Sequence, residues 1–334
     1  MVFNSIFFIF CFLPVFMLIY YLVPGKLRNL LLFLGSLIFY AWGEPVYVIL
    51  MLFSSIFNYY MGTELERLYY DDRKQKINLI FSIIINLAVL VFFKYYGFLL
   101  NTIGGIIGIH IPHPELSLPI GLSFYTFRNL SYLFDIYLSK VSAQRNFLTF
   151  AVYSTMFPYT SAGPIVRYTD IETQLKQRTI NISKFGTGAE LFVKGLAKKV
   201  LLADNLSVLY SSICGHPQMS VFTSWLGILA YTMQLYFDFS GYSDMAIGLG
   251  KMLGFDFNKN FDYPYISTSV SEFWRRWHIS LGSWFRDYVY IPLGGSRCSK
   301  GKMIRNLLVV WLFTGLWHGA GWNFLLWGFL LFVL

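Results

Sequence analysis

Charge is what this sequence has least of. Only 13% of its 334 residues are Asp, Glu, Lys or Arg, while 56% are hydrophobic and 20% aromatic; mean hydropathy is +0.54. A soluble domain carries about 25% charged residues. Too few charges remain to cover a water-facing surface around so much Phe, Tyr, Ile and Leu, which excludes a water-soluble single domain. Disorder is excluded as well, because disordered chains are poor in aromatic and β-branched residues. Cysteine is scarce: Cys11, Cys214 and Cys298 are odd in number and stand at unrelated spacings, so neither a disulfide framework nor a metal site is implied. The sequence also lacks a G-x-S-x-G elbow, a P-loop, an H-E-x-x-H helix and paired CxxC motifs. A serine-triad hydrolase, an ATP-driven pump and a zinc membrane protease lose weight accordingly. There is no internal repeat and no low-complexity segment.

What the chain has instead is long uncharged runs, and the solvent that suits them is lipid, where a spanning helix needs about 20 mostly apolar residues. The runs are Ser5–Val23, Asn29–Gly43, Pro45–Thr63, Ile77–Phe93, Phe147–Val166 and Val221–Phe237. The first has no basic flank before it and no small-residue cleavage site before Pro24, so it reads as a retained helix. Gly97–Pro119 and Thr160–Pro164, rich in Gly and Pro, predict irregular backbone, which survives at membrane depth only around a protein-lined or wet chamber. The net charge of +9 fits basic cytoplasmic loops better than nucleic-acid binding. Lys26 and Arg28 follow the first run, and Arg67, Arg73, Lys74 and Lys76 follow the third. The N-terminus and the link at Glu44 have no Lys or Arg. This places the first and third links in the cytoplasm and the N-terminus outside. Beyond Gly319-Ala320-Gly321, Trp322–Leu334 is too short to span and has no polar flank, which predicts a membrane domain over 1–334 that is incomplete at its C-terminal end.

Polar groups within apolar segments are expensive and mark candidate sites. The sharpest is His318, the only strongly titratable side chain from Leu307 to the end. Gly315, Gly319, Ala320 and Gly321 beside it allow close approach of a backbone or ligand. Desolvation there favours the neutral imidazole, the form that suits a general base; the plainer alternative is a histidine bonded to a neighbouring helix. The second candidate is Ser269–Arg286. As one helix it would place Val270, Trp274, Trp277, Leu281, Trp284, Phe285 and Tyr288 on one stripe, Glu272, Arg275, Arg276 and Arg286 opposite, and His278 at the edge. An interfacial helix with a solvated basic face explains it equally well. The third is Asp238, where the span predicts a break before Ser240-Gly241; it suits orienting a histidine or binding a hydroxyl, or else the segment caps a helix starting near Asp244. Arg128 and Asp135 predict a buried pair. Lys194, Lys198 and Lys199 predict a basic cytoplasmic helix face that meets lipid headgroups or a phosphorylated donor. His110, His113 and His216 lie in loops and carry no expectation.

The chain resembles the membrane-bound O-acyltransferase superfamily, in its bacterial polysaccharide O-acetylase branch. The resemblance is carried by Phe39-Tyr40-Ala41-Trp42-Gly43, Pro119-Ile120-Gly121-Leu122-Ser123-Phe124-Tyr125-Thr126-Phe127, Ala162-Gly163-Pro164-Ile165-Val166-Arg167-Tyr168 and Asp238-Phe239-Ser240-Gly241-Tyr242-Ser243-Asp244. More specific are Phe273-Trp274-Arg275-Arg276-Trp277-His278, Arg286-Asp287-Tyr288, Ile291-Pro292-Leu293-Gly294-Gly295 and Gly315-Leu316-Trp317-His318-Gly319. It implies an all-α polytopic membrane fold with amphipathic and re-entrant helices around a central tunnel. It also implies transfer of an acyl group, acetyl first, from a cytoplasmic donor such as acetyl-CoA or another acyl thioester or carrier to hydroxyls of an extracytoplasmic polysaccharide. His318 matches the family's central histidine and His278 the second histidine of this branch, with Asp238, Trp274, Arg275 and Trp317 as substrate-binding candidates. No resident cofactor, metal or nucleic acid is implied. The partners are membrane lipid and the polysaccharide, with accessory periplasmic or extracellular acyl-transfer proteins as further candidates. Arg128-Asn129 departs from the small or uncharged pair expected after Phe127. D-alanyl transfer to teichoic acid is an alternative within the class. A transporter of a polymer or lipid-linked intermediate and a non-catalytic membrane subunit are alternatives outside it.

Overall fold

The computed structural model describes residues 1–114, 116–216 and 218–334, and every regular element among them is helical. The first half holds α1 (Leu13–Leu22), α2 (Arg28–Gly43), α3 (Val48–Arg67), α4 (Asp72–Ile107), α5 (Leu122–Tyr137), α6 (Phe147–Thr155), α7 (Phe157–Thr160) and α8 (Tyr168–Lys176). The second half holds α9 (Ile182–Ala197), α10 (Asp204–Cys214), α11 (Val221–Met252), α12 (Val270–Arg276), α13 (Ile279–Phe285), α14 (Lys300–His318) and α15 (Trp322–Val333). Short polar residues set several starts by accepting a backbone N–H of the first turn: Asp71 from Lys74, Asn146 from Thr149, Asn181 from Lys184 and Ser220 from Thr223. Gly108, at φ 72°, closes α4. Two helices, α3 and α4, are long and apolar enough to cross a membrane by length and composition.

Helix α5 is the hub. Every residue in it is buried except Phe124, Phe134 and Tyr137, and it packs against α3, α4, α6, α7 and α8. Arg128, fully buried, donates to the carbonyls of Tyr159 at 2.7 Å and Ser154 at 2.8 Å. Asn129 joins Ser54 and Ser154 in a polar cluster. The Arg128-Asn129 pair therefore ties α5 to α6 and α7. The expected Arg128–Asp135 pair does not form, because Asp135 accepts from Lys140 and from the Tyr288 hydroxyl.

Helices α9 and α11 meet at glycine. A Cβ on Gly195 would lie 2.5 Å from the carbonyl oxygen of Gly241, and one on Gly188 2.6 Å from that of Gly248. Bare backbone on both sides lets the axes approach as apolar side chains alone would not. Two sequence expectations are corrected here. Helix α11 runs unbroken through Asp238–Asp244, so Gly241 serves close packing and no helix is capped near Asp244. The basic face expected at Lys194, Lys198 and Lys199 is largely neutralised, with partners Glu190, Asp244, and Asp204 plus Asp238. A third correction concerns Gly97–Pro119: the first part, to Ile107, belongs to α4, and the irregular backbone begins only at Gly108, with residue 115 outside the described residues. Of the expected irregular stretch Thr160–Pro164, Thr160 ends α7 and the rest is irregular.

Candidate active site

The single amphipathic helix expected over Ser269–Arg286 is two helices with a break at the candidate histidine. Ser269 caps α12 by accepting from Glu272 N. The Glu272 carboxylate in turn accepts from Thr268 N and Oγ1 and pairs with Arg276; the Thr268 backbone bond leads the contacts that hold its carboxyl down at about 2. Helix α12 stops at Arg276, Trp277 is extended, and His278 takes the left-handed conformation at φ 44°, ψ 53°. A non-glycine residue pays for that conformation, and the contacts that hold it converge on Asn260. Asn260 Oδ1 accepts from His278 Nδ1 at 3.1 Å, Ser280 N at 3.2 Å and Ser280 Oγ at 2.8 Å, while its carbonyl accepts from Ile279 N at 2.9 Å. The break explains the burial pattern: Leu281, Trp284, Phe285 and Tyr288 are buried, but no residue of α12 is.

Helix α13 is pinned to the hub. The Trp284 ring stacks on Phe127 at 4.3 Å and its Nε1–H donates to the Phe127 carbonyl at 3.0 Å. The Tyr288 hydroxyl donates to both carboxylate oxygens of Asp135 at 2.9 Å. This fixes the wall on which His278 stands.

The opposite wall is α14. His318 is its last residue, and Nδ1 donates to the Thr314 carbonyl at 2.8 Å. His278 and His318 line one cavity of about 320 Å³, together with Trp274, Arg275, Trp311 and Thr314. His278 is buried, whereas His318 is exposed at the cavity. Their Nδ1–H groups both have protein acceptors, and an imidazole that donates from Nδ1 offers a lone pair at Nε2. Nε2 of His278 is buried with no partner in the protein. Trp317 stands between the histidines, its ring 5.7 Å from that of His278 and 4.7 Å from that of His318, with a buried Nε1–H that also has no partner.

Of the residues singled out from sequence, the structure gathers His278, His318, Trp274 and Arg275 around this cavity, with Trp317 packed between the histidines. It does not bring Asp238 there. Asp238 pairs with Lys199 at 2.8 Å, and the next residue of α11, Phe239, meets the His278 ring edge-on at 4.6 Å. Asn260 escaped the sequence reading, although an Asn beside Phe261 and before Asp262-Tyr263-Pro264 carries a turn signal. A second cavity of about 230 Å³ shares Ile279, Ser283 and Arg286 with the first and adds Arg167, Asp170, Lys259 and Ser280. Arg167 and Arg286 both bond Asp287, Asp170 stands beside Arg167, and Lys259 lies 3.9 Å from Asp262.

Comparison with known proteins identifies the family. The family model for membrane-bound O-acyltransferases matches residues 41–334. The chain is 45% identical over 332 residues to a probable alginate O-acetylase of Pseudomonas aeruginosa, covering 98% of this chain and 64% of that protein. It is 36% identical over 365 residues to a peptidoglycan O-acetyltransferase of Helicobacter pylori, covering 99% and 69%. It is 28% identical over 234 residues to a teichoic acid D-alanyltransferase of Bacillus subtilis, covering 66% and 58%. The chain thus spans about two-thirds of the length of the alginate relatives. With the family model matching from residue 41 to 334, this chain belongs to the membrane-bound O-acyltransferase family.

Proposed function

We propose that the protein is a polytopic enzyme of the cell membrane that moves an acyl group, acetyl by preference, from a cytoplasmic thioester to hydroxyls of an extracytoplasmic polysaccharide. The observation that carries this reading is the pair of histidines, each with Nδ1–H engaged and Nε2 left as an acceptor, on one cavity. The membrane setting is supported by outward-facing apolar side chains well beyond α3 and α4, among them Leu18, Leu22, Val221, Phe222, Trp225 and Leu326. The N-terminus lies on the outer side, by the basic residues of the first and third links.

His318 Nε2 takes the proton from the acceptor hydroxyl as its oxygen attacks the acyl carbonyl. The new C–O bond forms, the C–S bond breaks, and the thiolate leaves with the proton returned by His318. No Ser or Cys nucleophile is needed, so the transfer is direct. His278 in this tautomer accepts a hydrogen bond, which suits holding a substrate O–H or N–H better than stabilising an oxyanion. Trp274 and Arg275 border the substrate in the cavity. Arg167, Lys259 and Arg286 in the adjoining cavity are the cations nearest to hand for the phosphates of a donor such as acetyl-CoA. Accessory acyl-transfer proteins on the outer side complete the set of partners.

The test is the ester content of the cell-surface polysaccharide after His318→Ala in the full-length gene. Acetate released by mild base is expected to fall by about 10²- to 10⁴-fold, the usual worth of a general base, with polymer export unchanged. Release of D-alanine in place of acetate would move the substrate to teichoic acid. Lost export would favour a transporter.

A further inference from the structure

Helix α14 ends at His318, and Gly319 continues in extended backbone without capping it. The last carbonyls of a helix have no partner inside it. Here two of them are taken by another helix. Lys94 Nζ donates to the carbonyl of Trp317, and the Tyr95 hydroxyl donates to the carbonyl of Leu316. The donors are consecutive on α4; the acceptors are the two residues immediately before His318. The ammonium also lies 5.7 Å from the centre of the Trp317 ring. One turn further along α4, Phe98 meets Trp322 of α15 edge-on at 5.6 Å. Helix α4 therefore grips both sides of the 319–321 link.

Three physical features set these contacts apart from ordinary packing. An ammonium within a long apolar helix is expensive and defaults to a functional role, and this one spends its charge on a carbonyl. A cation at a helix C-terminus is favoured by the helix dipole, so the bond is charge-assisted. Thr314, whose carbonyl fixes the His318 tautomer, sits in the same last turn. A tilt of that turn would move the ring and its acceptor together.

The geometry points to a clamp. Lys94 and Tyr95 are positioning residues that hold the last turn of α14, so that His318 meets the cavity it shares with His278. This inference rests on the acyl-transfer reading above. Neither residue borders the cavity, and both act through backbone oxygens.

The experiment uses full-length protein in detergent carrying Lys94→Met, Lys94→Arg or Tyr95→Phe, with two readouts. One is acetyl transfer from acetyl-CoA to polysaccharide. The other is the rate at which diethyl pyrocarbonate carbethoxylates His318, followed on its peptide by mass spectrometry. Lys94→Met is expected to lower kcat by about 100-fold with KM for acetyl-CoA unchanged, as an ångström-scale displacement of a reacting group does. Lys94→Arg keeps a donor and a charge and recovers most of the loss. Tyr95→Phe keeps the ring, drops one hydrogen bond and costs roughly fivefold. His318 should react at one altered rate across the population, where partial unfolding would give two phases. Unaltered kcat and carbethoxylation in both Lys94→Met and Tyr95→Phe would overturn the clamp. So would a raised KM for acetyl-CoA that arginine does not correct, which would make Lys94 a donor contact. If the unsubstituted protein transfers no acetyl group, the activity reading fails, and the carbethoxylation rates still decide the clamp.

Discussion

At the scale of single residues, chemistry is set by what each histidine has already given away. His278 and His318 donate from Nδ1 to Asn260 and to the Thr314 carbonyl, and that fixes which nitrogen meets substrate. Asn260 is the more exposed to mutation, because one side-chain oxygen serves three donors. Asn260→Ala leaves the imidazole free to change tautomer and Ser280 N and Oγ without their acceptor, while the backbone bond from Ile279 N remains. Transfer is expected to fall by about 100-fold from misplacement of His278. Stability should fall by about 1–3 kcal/mol for the buried groups left unpaired. Steady-state kinetics and a thermal melt of the detergent-solubilised protein measure the two losses. Both histidines were legible in the sequence as polar groups in apolar company. Asn260 and Lys94 were not: Asn260 acts across a loop that has no periodicity, and Lys94 passes for the charged flank of the run Ile77–Phe93.

At the scale of elements, the sequence showed where apolar length lies but misplaced where it breaks. Ser240-Gly241 looked like the end of a span and is the middle of α11. Ser269–Arg286 looked like one amphipathic helix and is two. In both places local pattern was overruled by a tertiary partner: α9 backbone pressed against Gly241, and Asn260 holding the left-handed turn at His278. The glycine contact yields a direct prediction. Gly195→Leu drives a side chain into the Gly241 carbonyl and should destabilise the protein by about 1–3 kcal/mol or more, as overpacking does. Leucine at Gly186, where a Cβ meets nothing within 4 Å, is the control and should leave the melting temperature unchanged.

At the scale of the whole molecule, the proposed orientation rests on basic residues in short links. A single cysteine at position 70, placed by Tyr70→Cys with Cys11, Cys214 and Cys298 changed to Ser, should react with a membrane-impermeant maleimide only after the inner membrane is permeabilised. Tyr70 is 96% exposed, so poor access of the side chain itself cannot explain protection. Labelling in intact spheroplasts would invert the topology and with it the side on which the donor binds.

Hydropathy and the cost of a polar group in an apolar segment are properties of a stretch of chain, so a lipid solvent and His278 and His318 as candidates could be read before any fold was known. Which polar residues meet is settled by packing. Arg128 and Asp135 share a helix yet bond to different partners, and Asp238 bonds to Lys199 away from the histidines. His278, at the break between α12 and α13, and His318, at the end of α14, share a cavity because Trp284 and Tyr288 pin one wall to α5 while Lys94 and Tyr95 hold the other. Such pairings depend on distance in space, which a residue's place in the chain does not encode.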